Sequence, residues 1–491
     1  MAKKQGVREP VRFVTATSLF DGHDASINIM RRILQDAGAE VVHLGHNRSV
    51  AEIVNAAVQE GAHGVAVSSY QGGHMEFFKY LIDLLKERGC GYVKVFGGGG
   101  GVIVPDEIRE LEAYGVSKIY SPEDGKAMGL KGMISHMIGI ASKVKIPEVK
   151  MDKKAILAKD PALIGRIISH AERSRLSKDP GFKGMRTFLN SFESKSPIVG
   201  ITGTGGSGKS SIIDELLRRI LTHYPDKRTA VISVDPTRSR SGGALLGDRI
   251  RMNQIDDERV YMRSMATRAS KDELSEAIED ALGIVKAAGY DLIIVETSGI
   301  GQGDTAITKV SDFSIYVMTS EFGAPSQLEK IDMLDFADMV IINKFEQEKS
   351  LDALKHVRKQ FMRNHELFDM EPEDLPIFGT VASRYNDKGM DRAFAHLVNK
   401  LKDKGAIDWQ EIGMPESDEE KVHEGIVPSS RQQYLSRISQ CVRDYHARTA
   451  DVSARLRKIY AIEDLLKESA DDKAASASLR KKLSELRKGI A

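Results

Sequence analysis

Short apolar runs alternate with segments of helical periodicity through residues 1–143 of the chain. A short apolar run bounded by turn residues is typical of a buried strand, and apolar positions three and four residues apart are typical of a helix packed on a sheet. The strand candidates are Val11–Ala16, Glu40–Leu44, Val65–Ser69, Val93–Phe96 and Lys118–Tyr120, and the helix candidates are Ser26–Ala37, Val50–Glu60, Glu76–Arg88, Asp106–Tyr114 and Glu123–Ile138. This succession of strand–helix units predicts a flavodoxin-like, doubly wound parallel sheet.

The pattern changes further along the chain. Residues 144–196 are polar with helical periodicity, which predicts a helical linker with prolines at its joints: Pro147, Pro161, Pro180 and Pro197. Residues 197–408 return to strand–helix alternation and predict a second α/β domain, with strands at Ile198–Ile201, Thr229–Ser233, Leu292–Glu296, Phe313–Thr319 and Met339–Asn343. Residues 409–491 predict an acidic linker, Trp409–Pro428, and then a helical arm over 429–488 whose apolar stripe is Leu435, Ile438, Val442 and Tyr445.

The composition excludes several classes of protein. The 491 residues carry 71 basic and 70 acidic side chains, so no basic excess is present to hold a polyanion and we expect no nucleic-acid partner. No apolar run approaches a membrane span and the polar start lacks the core of a signal peptide, so we expect no membrane partner. Cys90 and Cys441 are too few for a disulfide framework. A reducing cytoplasm is the expected location.

A glycine-rich segment at the start of the second domain carries the strongest motif. Gly203-Thr-Gly-Gly-Ser-Gly-Lys-Ser210 matches the phosphate-loop pattern G-x-x-x-x-G-K-[ST], and it follows a strand candidate and precedes a helix pattern. Its glycines let backbone N–H groups point at phosphate oxygens, and the helix start adds positive potential. Lys209 is expected to reach the terminal phosphates and Ser210 to hold Mg²⁺. The expected nucleotide-binding residues of the loop are Gly205, Gly206, Ser207, Gly208, Lys209, Ser210 and Ser211.

Acidic residues follow two further strand candidates of this domain. Glu296 ends one buried-type strand, and Gly299 just beyond it is expected to act as a flexible switch. Asp235 ends another strand, and both carboxylates are positioned for Mg²⁺ or its waters. Asp248 and Arg251 lie in a glycine-rich segment that predicts a mobile loop carrying an acid and arginines.

The strand that ends in Asn343-Lys344-Phe345-Glu346 supplies a base-recognition motif. GTPases read guanine with Asn-Lys-x-Asp, whose carboxylate accepts from the N1–H and the exocyclic amine, and adenine cannot match these donors. Glu346 replaces the aspartate and keeps its acceptor chemistry. Asn343, Lys344 and Glu346 are therefore expected to bind the base, with the loop Phe378–Ser383 behind it.

Together these segments resemble the metallochaperone GTPases that serve cobalamin-dependent acyl-CoA mutases. The likeness is carried by Glu296-Thr-Ser-Gly-Ile-Gly-Gln-Gly-Asp304 and by Asp235-Pro followed by Gly-Gly-Ala-Leu-Leu-Gly-Asp248. The resemblance implies GTP hydrolysis with catalytic roles for Lys209 and Glu296, and GTP contacts from Arg251 and from Asn343–Glu346. It further implies a Mg²⁺ site formed by Ser210, Asp235, Asp248, Glu296 and Thr297.

In the first domain, three loops open on one edge of the predicted sheet. Asp21–Ser26 follows the first strand, Val67–Tyr70 ends the third and Phe96–Gly101 ends the fourth. Ligands of parallel sheets bind at the carboxyl ends of the strands, and the small residues of two of these loops leave a slot for an extended ligand tail. His23 is a good ligand for a transition metal, and Asp21 is placed to accept its other ring N–H.

Three other histidines near this edge are assigned no metal or catalytic role. His74 is expected to be a polar residue at a helix start. His43 and His46 flank a strand end and are expected to be solvated.

This arrangement resembles the cobalamin-binding domain of mutases, whose signature is Asp-x-His-x-x-Gly followed by Ser-x-Leu and Gly-Gly. The glycine position is occupied by Ser26, and the leucine position by Ser69 or Tyr70. The resemblance implies that His23 binds cobalt in place of the cofactor's own benzimidazole, which enters the slot. The cobalamin-binding residues that it implies are Asp21, Gly22, His23, Ser68, Gly98 and Gly99.

The order of the domains resembles the amino-terminal half of the fused isobutyryl-CoA mutases, which interconvert isobutyryl-CoA and n-butyryl-CoA with adenosylcobalamin. The resemblance implies that GTP hydrolysis gates the loading and repair of adenosylcobalamin. That family continues into an acyl-CoA-binding barrel, which nothing in this chain could build, so we expect either a piece of a longer protein or a need for a separate mutase subunit. The mutase barrel, in cis or in trans, is thus the expected partner. The resemblance also admits an adenosyltransferase. It implies that the helical arm either forms a homodimer, the commoner role in the chaperone family, or docks to the barrel.

Two other functions stay open at this point. One is a passive cobalamin carrier whose nucleotide site only stabilises the fold, and the other is an ATP-dependent small-molecule kinase, because phosphate loops also serve such transferases. Turnover of GTP that depends on Lys209 would exclude the carrier. Preference for guanine over adenine would exclude the kinase.

Overall fold

A computed structural model of the chain describes residues 10–148, 152–177, 182–192, 194–238, 240–267, 276–297, 305–347, 349–415, 434–468 and 473–487. The chain divides into two units, one up to residue 417 and one from residue 418 onward. The expected switch at Gly299, with the run up to Asp304, lies outside the described residues, as do Pro180 and residues 416–428 of the expected linker. Among the described helices, none combines the length and the apolar character needed to cross a bilayer.

The first sheet has the predicted doubly wound topology. Its parallel strands β1 (Arg12–Ser18), β2 (Glu40–Arg48), β3 (Gly64–Ser68), β4 (Lys94–Gly98) and β5 (Lys118–Tyr120) lie in the flavodoxin-like order β2-β1-β3-β4-β5. The helices between them are α1 (Ala25–Asp36), α2 (Val50–Gln59), α3 (His74–Glu87), α4 (Pro105–Tyr114) and α5 (Pro122–Ala141). Val14, Val65 and Val95 are fully buried because helices cover both faces of the sheet. The fold prediction for this domain is confirmed.

The segment expected as a linker contains α6 (Lys153–Leu157), α7 (Pro161–Ser177) and α8 (Phe182–Leu189). Ile164, Ile167 and Ile168 of α7 are fully buried in a core that also contains strands of the second sheet. Glu172 of α7 forms buried ion pairs with Arg12 (3.3 Å) and Arg263 (2.5 Å). The helices of this segment are therefore packed parts of the first unit.

The strands of the second half are β6 (Ile198–Gly203), β7 (Thr229–Asp235), β8 (Ala244–Leu246), β9 (Val260–Ala266), β10 (Leu292–Glu296), β11 (Phe313–Thr319), β12 (Met339–Asn343) and β13 (Ile377–Thr380). All of these except β8 form one parallel sheet in the order β13-β12-β11-β6-β10-β7-β9. The accompanying helices are α9 (Lys209–His223), α10 (Glu276–Ala288), α11 (Pro325–Leu328), α12 (Ser350–Asn364) and α13 (Lys388–Asp403). The prediction of a second α/β domain is confirmed.

Strand β8 instead joins the first sheet, at the edge formed by β2. Ala244–Leu246 pairs in parallel with residues 40–42 of β2. Ala244 and Leu246 are fully buried, so the mobile loop expected here is wrong for this stretch. Gly243 permits the approach, since a Cβ at this position would lie 2.2 Å from the carbonyl oxygen of Gln35.

Trp409, which was expected to begin a linker, is buried in the core of the second sheet. Its ring centroid lies 4.6 Å from that of Tyr224, and the Tyr224 hydroxyl donates to the carbonyl oxygen of Gln410 (2.6 Å). The backbone N–H of Ile412 donates to the side chain of Asn399 (3.2 Å). The start of the expected linker is therefore wrong, because an aromatic cluster holds these residues against the domain.

The second unit contains the helices α14 (Tyr434–Glu468) and α15 (Lys473–Arg487), as expected for a helical arm. Three residues of the predicted apolar stripe, Ile438, Val442 and Tyr445, are exposed within this chain. The side chain of Leu435, the fourth member, is outside the described part of the chain.

Candidate functional site

The phosphate loop lies between β6 and α9, at the carboxyl edge of the second sheet. Gly206 and Gly208 have φ values of 76° and 94°, which let the chain turn before α9 begins at Lys209. The side chain of Lys209 is buried, and its ammonium donates to the carbonyl oxygens of Gly203 (3.2 Å) and Thr204 (3.4 Å). The structure thus brings the predicted strand, loop, lysine and helix start together.

Two buried hydroxyl groups of the loop have no hydrogen-bond partner within the chain. They are the Oγ1 of Thr204 and the Oγ of Ser207, and the absence of a partner refers to the described residues. A buried polar group without a partner costs free energy, so an unmatched pair of this kind is typical of a place that a polar ligand completes. Gly205 and Gly206 are exposed at the tip of the loop, and Ser211 lies in the first turn of α9.

Next to the loop, Ser210 lies between two carboxylates from different strands and loops. Its hydroxyl oxygen is 3.1 Å from Glu296 Oε1, at the end of β10, and 3.3 Å from Asp248 Oδ1. The hydroxyl of Ser233, on β7, donates to the other oxygen of Asp248. Glu296 Oε2 is buried and has no hydrogen-bond partner in the part of the chain that the structure describes. This cluster joins β7, β10, α9 and the segment after β8.

The carboxylates of this cluster are electrostatically unfavourable to one another. Burial raises the pKa of Glu296 well above its usual range, and the nearby charge of Asp248 raises it further. Burial and the same neighbour also raise the pKa of Asp235, although the N–H of Gly247 donates to it (3.2 Å). A cation bound here would relieve this repulsion.

The donor set suits a hard divalent cation. Hydroxyl and carboxylate oxygens are the side-chain ligands that Mg²⁺ prefers, and it is usually held by one or two carboxylates together with substrate phosphates and water. Within the described ranges, no group of three or more His, Cys, Asp or Glu side chains has the spacing of a complete metal cage. Ser210, Glu296 and Asp248 therefore fit an incomplete shell that a nucleotide phosphate would finish.

Two residues expected in this site have other contacts. Thr297 is fully buried, and its hydroxyl donates to Thr202 Oγ1 on the neighbouring strand (2.8 Å). Arg251 donates to Asp248 Oδ1 (3.3 Å), but about two thirds of its side chain is exposed. Thr297 thus ties β10 to β6, and Arg251 lies at the rim of the cluster.

Asn343, expected to read the base, ties three segments together. Its Nδ2 donates to the carbonyl oxygen of Ser207 in the phosphate loop (2.8 Å), and its Oδ1 accepts from the backbone N–H of Ala382 (3.1 Å). A Cβ on Gly208 would lie 2.3 Å from Asn343 Nδ2, so this contact requires glycine. The base-recognition segment, the phosphate loop and the loop after β13 therefore meet at one residue.

The remaining residues of the motif lie beyond Asn343. Lys344 has a φ of 57° and is half-buried, while Glu346 is exposed. The ring of Phe345 lies against Gly379 on β13, where a Cβ would be 2.6 Å from the ring. This turn leaves the Glu346 carboxylate accessible to a ligand.

At the edge of the first sheet, Asp21 and His23 form the pair that the sequence predicts. His23 Nδ1 is 2.8 Å from Asp21 Oδ1, and three quarters of the His23 side chain is exposed. Asp21 also accepts from the backbone N–H of Tyr70 (2.5 Å). Burial disfavours the charged carboxylate, but the N–H groups of Tyr70 and His23 outweigh it and lower the pKa of Asp21. Asp21 thus holds Nδ1 and leaves Nε2 open to a metal.

Beside this pair, a cavity of about 320 Å³ opens between the carboxyl ends of β3 and β4. Ser68, Gly98 and Gly99, which the sequence singled out, line it together with apolar side chains of α1 and α5. A Cβ on Gly99 would lie 1.9 Å from the carbonyl oxygen of Ser69, so this glycine is required by packing. Gly98 has no such clash, and Gly22 has open space around it. The small residues therefore leave room for a flat or extended ligand.

The expectation that His43 is solvated is wrong, and His74 has a partner that the sequence did not predict. His43 is buried, with its Nδ1 3.0 Å from the hydroxyl of Thr15, because β2 extends past the predicted strand end. Burial, with Arg31 nearby, lowers the pKa of His43 to about 4. His46 is exposed, as expected. His74 begins α3 and contacts Glu107 (2.9 Å).

Sequence reasoning missed two residues of these sites. Ser233 lies two residues before Asp235 on β7, and this spacing places both side chains on the same face of the strand. Tyr70 was noted only as a departure from the cobalamin signature, yet it bonds to Asp21 and lines the cavity. A period-two reading of β7 would have found the serine, whereas no local signal identified the tyrosine.

Two family models match the chain in the expected order. Residues 11–124 match the B12 binding domain, and residues 164–408 match the family described as methylmalonyl-CoA mutase-associated GTPase MeaB.

Similar proteins support both matches. The chain is 52% identical over 481 residues to a fused isobutyryl-CoA mutase of Geobacillus kaustophilus, and 50% identical over 482 residues to that of Cupriavidus metallidurans. Each match covers 97% of this chain and 44% of the relative, so the chain spans less than half the length of these proteins. A putative GTPase of Pyrococcus horikoshii is 43% identical over 152 residues, which are 31% of this chain and 47% of that protein. The chain therefore joins a B12-binding domain to a GTPase domain of the MeaB family and is homologous to the amino-terminal half of the fused isobutyryl-CoA mutases.

Proposed function

We propose that this chain is a GTP-driven gate for adenosylcobalamin, which controls the loading and removal of the cofactor for a radical acyl-CoA mutase. The observation that carries the proposal is the segment 235–248. Its two ends, Asp235 and Asp248, lie in the acidic cluster beside the phosphate loop, and between them Ala244–Leu246 forms a strand of the cobalamin-domain sheet. A change at the nucleotide therefore has a direct covalent route to the cobalamin domain.

The nucleotide half of the function rests on the phosphate loop and the acidic cluster. Lys209 would bind the terminal phosphates and, with Glu296 beside it, form the catalytic centre for GTP hydrolysis. Ser210, Asp248 and Glu296 would hold Mg²⁺ directly or through water, with Asp235 and Thr297 around them. Mg²⁺ supplies neutralisation of the charge that develops on the departing phosphate. GTP would be contacted at its two ends by Arg251, Asn343, Lys344 and Glu346.

The cobalamin half rests on His23 and the cavity beside it. His23 would bind cobalt through Nε2, since Asp21 holds Nδ1 and keeps the ring oriented. The nucleotide tail of the cofactor would occupy the cavity lined by Ser68, Gly98 and Gly99. Bound adenosylcobalamin supplies the radical for the mutase reaction.

Three contacts hold the middle of segment 235–248 against the cobalamin domain. Strand β8 pairs with β2, and Arg238 forms an ion pair with Asp36 at the end of α1 (2.6 Å). A Cβ on Gly38 would lie 3.2 Å from the carbonyl oxygen of Ser241, so these two segments of the backbone are in close contact. Helix α1 begins two residues after His23, and the segment therefore touches the element that follows the cobalt ligand.

The residue after Asp248 makes a further connection. Arg249 is buried and donates to Glu60 Oε1 (3.2 Å) and Gln59 Oε1 (2.6 Å), at the end of α2 in the cobalamin domain. Glu60 also accepts from the backbone N–H of Ser264 on β9 (3.0 Å). Neighbouring residues 248 and 249 thus belong to the nucleotide site and to the joint between the domains, which favours transmission of a change at the metal.

We further propose that the partner of this chain is an acyl-CoA-binding mutase barrel, in cis or in trans, acting on isobutyryl-CoA. The support is the homology to fused isobutyryl-CoA mutases, of which this chain covers 44%. The exposed stripe of α14 favours a homodimer, and an adenosyltransferase would deliver the cofactor. The expected location is the cytoplasm.

The test measures the Kd of adenosylcobalamin by visible absorbance in the presence of Mg²⁺ with no nucleotide, with GDP and with a non-hydrolysable GTP analogue. We expect the three values to differ by at least about fivefold, since coupling between sites is commonly of this size or larger. In His23→Ala, adenosylcobalamin should no longer show the change in visible absorbance that accompanies binding to the wild type. Lys209→Ala should lose GTP turnover but keep that absorbance change.

Each contrary result identifies another function. Absence of GTP turnover under Mg²⁺ would favour a passive cobalamin carrier. A preference for ATP would favour a small-molecule kinase. If GTP is hydrolysed but the Kd of adenosylcobalamin is the same with and without nucleotide, the gate is refuted and the two domains act independently.

A further inference from the structure

Ser26 and Tyr70 face each other in the wall of the cavity, on the side next to His23. The Oγ of Ser26 is 2.7 Å from the hydroxyl oxygen of Tyr70, and both residues line the cavity. Ser26 lies in the first turn of α1, while Tyr70 follows β3. The hydrogen bond therefore connects the first turn of α1 to the segment after β3, next to His23. Ser26 occupies the glycine position of the cobalamin signature, and Tyr70 is one of the two candidates, with Ser69, for its leucine position.

Tyr70 is held on several sides. Its backbone N–H donates to Asp21 Oδ2 (2.5 Å), and its ring centroid lies 5.5 Å from that of His23. On another side, a Cβ added to Gly100 would lie 3.0 Å from Tyr70 Cε1, so the ring lies close to the glycine loop after β4. The tyrosine thus spans from the glycine loop to Ser26, and its hydroxyl completes this span.

The interior behind this pair is apolar and narrow. It is lined by Ala66 and Phe96 from the sheet and by Met133 and Met137 from α5. These side chains offer an incoming ring dispersion contacts but few hydrogen bonds. The two hydroxyl groups of Ser26 and Tyr70 satisfy each other, so breaking their bond without a new partner costs free energy.

We propose that the Ser26–Tyr70 hydrogen bond is a latch across the side of the cavity next to His23, and that this bond has to break when the cofactor's ring-bearing tail enters. The inference rests on the proposed function, in which this cavity receives the tail of cobalamin. The latch slows entry without weakening the final complex, since the tail passes it and then fills the cavity. It makes insertion of the tail a distinct, slow step of cofactor loading.

The test compares two probes by stopped-flow absorbance. Adenosylcobalamin carries the tail, whereas adenosylcobinamide lacks it and has nothing to insert. Tyr70→Phe and Ser26→Ala each remove one partner of the bond and keep the size of the side chain nearly unchanged. We expect each variant to raise the association rate constant of adenosylcobalamin about fivefold, the factor that one hydrogen bond of ordinary net strength gives.

The double variant and the second probe distinguish the latch from other effects of the substitutions. Because both changes break the same bond, the double variant should be no faster than either single variant. The association rate of adenosylcobinamide should stay at the wild-type value in all three variants. The latch would be refuted by equal acceleration of both probes, which would mean that the pair only positions the His23 loop.

It would also be refuted by an unchanged association rate with faster dissociation, which would place the Tyr70 hydroxyl on the bound cofactor. Failure of the proposed function has a different signature. In that case the wild-type protein would bind neither probe in a manner that depends on His23. The comparison of rates between the probes addresses the latch alone.

Discussion

Substitution of Gly243 by valine is expected to disconnect the nucleotide site from the cobalamin domain. A Cβ at this position would lie 2.2 Å from the carbonyl oxygen of Gln35 and 2.8 Å from that of Ala39. Contacts below 3.0 Å are essentially never tolerated, and both neighbours are backbone atoms that cannot rotate away. The segment therefore has to move off the first sheet, and strand β8 loses its pairing with β2.

The size of the effect follows from what the pairing contributes. Each backbone hydrogen bond between the strands contributes about 0.5–1.5 kcal/mol. Burial of the Leu246 side chain, which is fully enclosed, adds about 1.5–3 kcal/mol. Coupling between two ligand sites is typically about 1–3 kcal/mol, or about 5–150-fold in affinity. Loss of the strand removes enough free energy to abolish a coupling of that size.

The assay is the ratio of the adenosylcobalamin Kd with GDP to that with a non-hydrolysable GTP analogue. We expect this ratio to fall to within about twofold of one in Gly243→Val, compared with about fivefold or more in the wild type. Gly283→Ala is the control, because a Cβ on Gly283 in α10 meets nothing within 4 Å. Arg238→Ala, which removes the exposed pair with Asp36, is a milder second variant and should lower the ratio partly. A Gly243→Val protein that keeps the full wild-type ratio would refute the route through β8.

Three further outcomes are expected. Because burial and Asp248 raise the pKa of Glu296 in the folded protein, the Mg²⁺-free protein binds more protons folded than unfolded, and its stability should fall as the pH rises above the usual carboxyl pKa. Glu296→Gln should weaken this dependence of stability on pH, and it should raise stability at pH 7 by about 1–3 kcal/mol in thermal unfolding. GTP turnover of the same variant should fall at least about 100-fold. An unchanged pH dependence of stability would contradict this account. Glu346→Ala should reduce the preference for GTP over ATP in competition binding by about 10-fold or more, and an unaltered preference would remove Glu346 from the base site. Trp409→Ala should lower the urea midpoint by an amount that corresponds to a loss of about 3–5 kcal/mol in the free energy of unfolding, because the indole packs on Tyr224. A loss below about 1 kcal/mol would mean that Trp409 does not stabilise the domain.

The predicted site residues that the structure brings together are those that a local sequence pattern places next to one another. The phosphate loop could be predicted because glycines, lysine and helix start follow one another directly, and the structure brings Lys209 and Ser210 to one edge of the sheet. Asp21 and His23 are two residues apart, so their contact also required no knowledge of the rest of the chain.

The features that were missed depend on partners distant in sequence. Strand β8 is only three residues long and shows no alternation, and its partner β2 lies about two hundred residues earlier. The burial of Trp409 depends on Tyr224, a residue of an unrelated helix end. The contact of Ser26 with Tyr70 likewise joins the start of α1 to the segment after β3, which only the strand order brings together. Local periodicity carries no information on such pairs.

The most direct test of the account is reciprocity between the two ligands. If the sites are coupled, saturating adenosylcobalamin must change the affinity for the GTP analogue by the same factor by which the analogue changes the affinity for adenosylcobalamin. We predict equal factors of at least about fivefold in the wild type and no change in His23→Ala, which removes the proposed cobalt ligand. Nucleotide affinity that is the same with and without saturating adenosylcobalamin in the wild type would contradict the central claim.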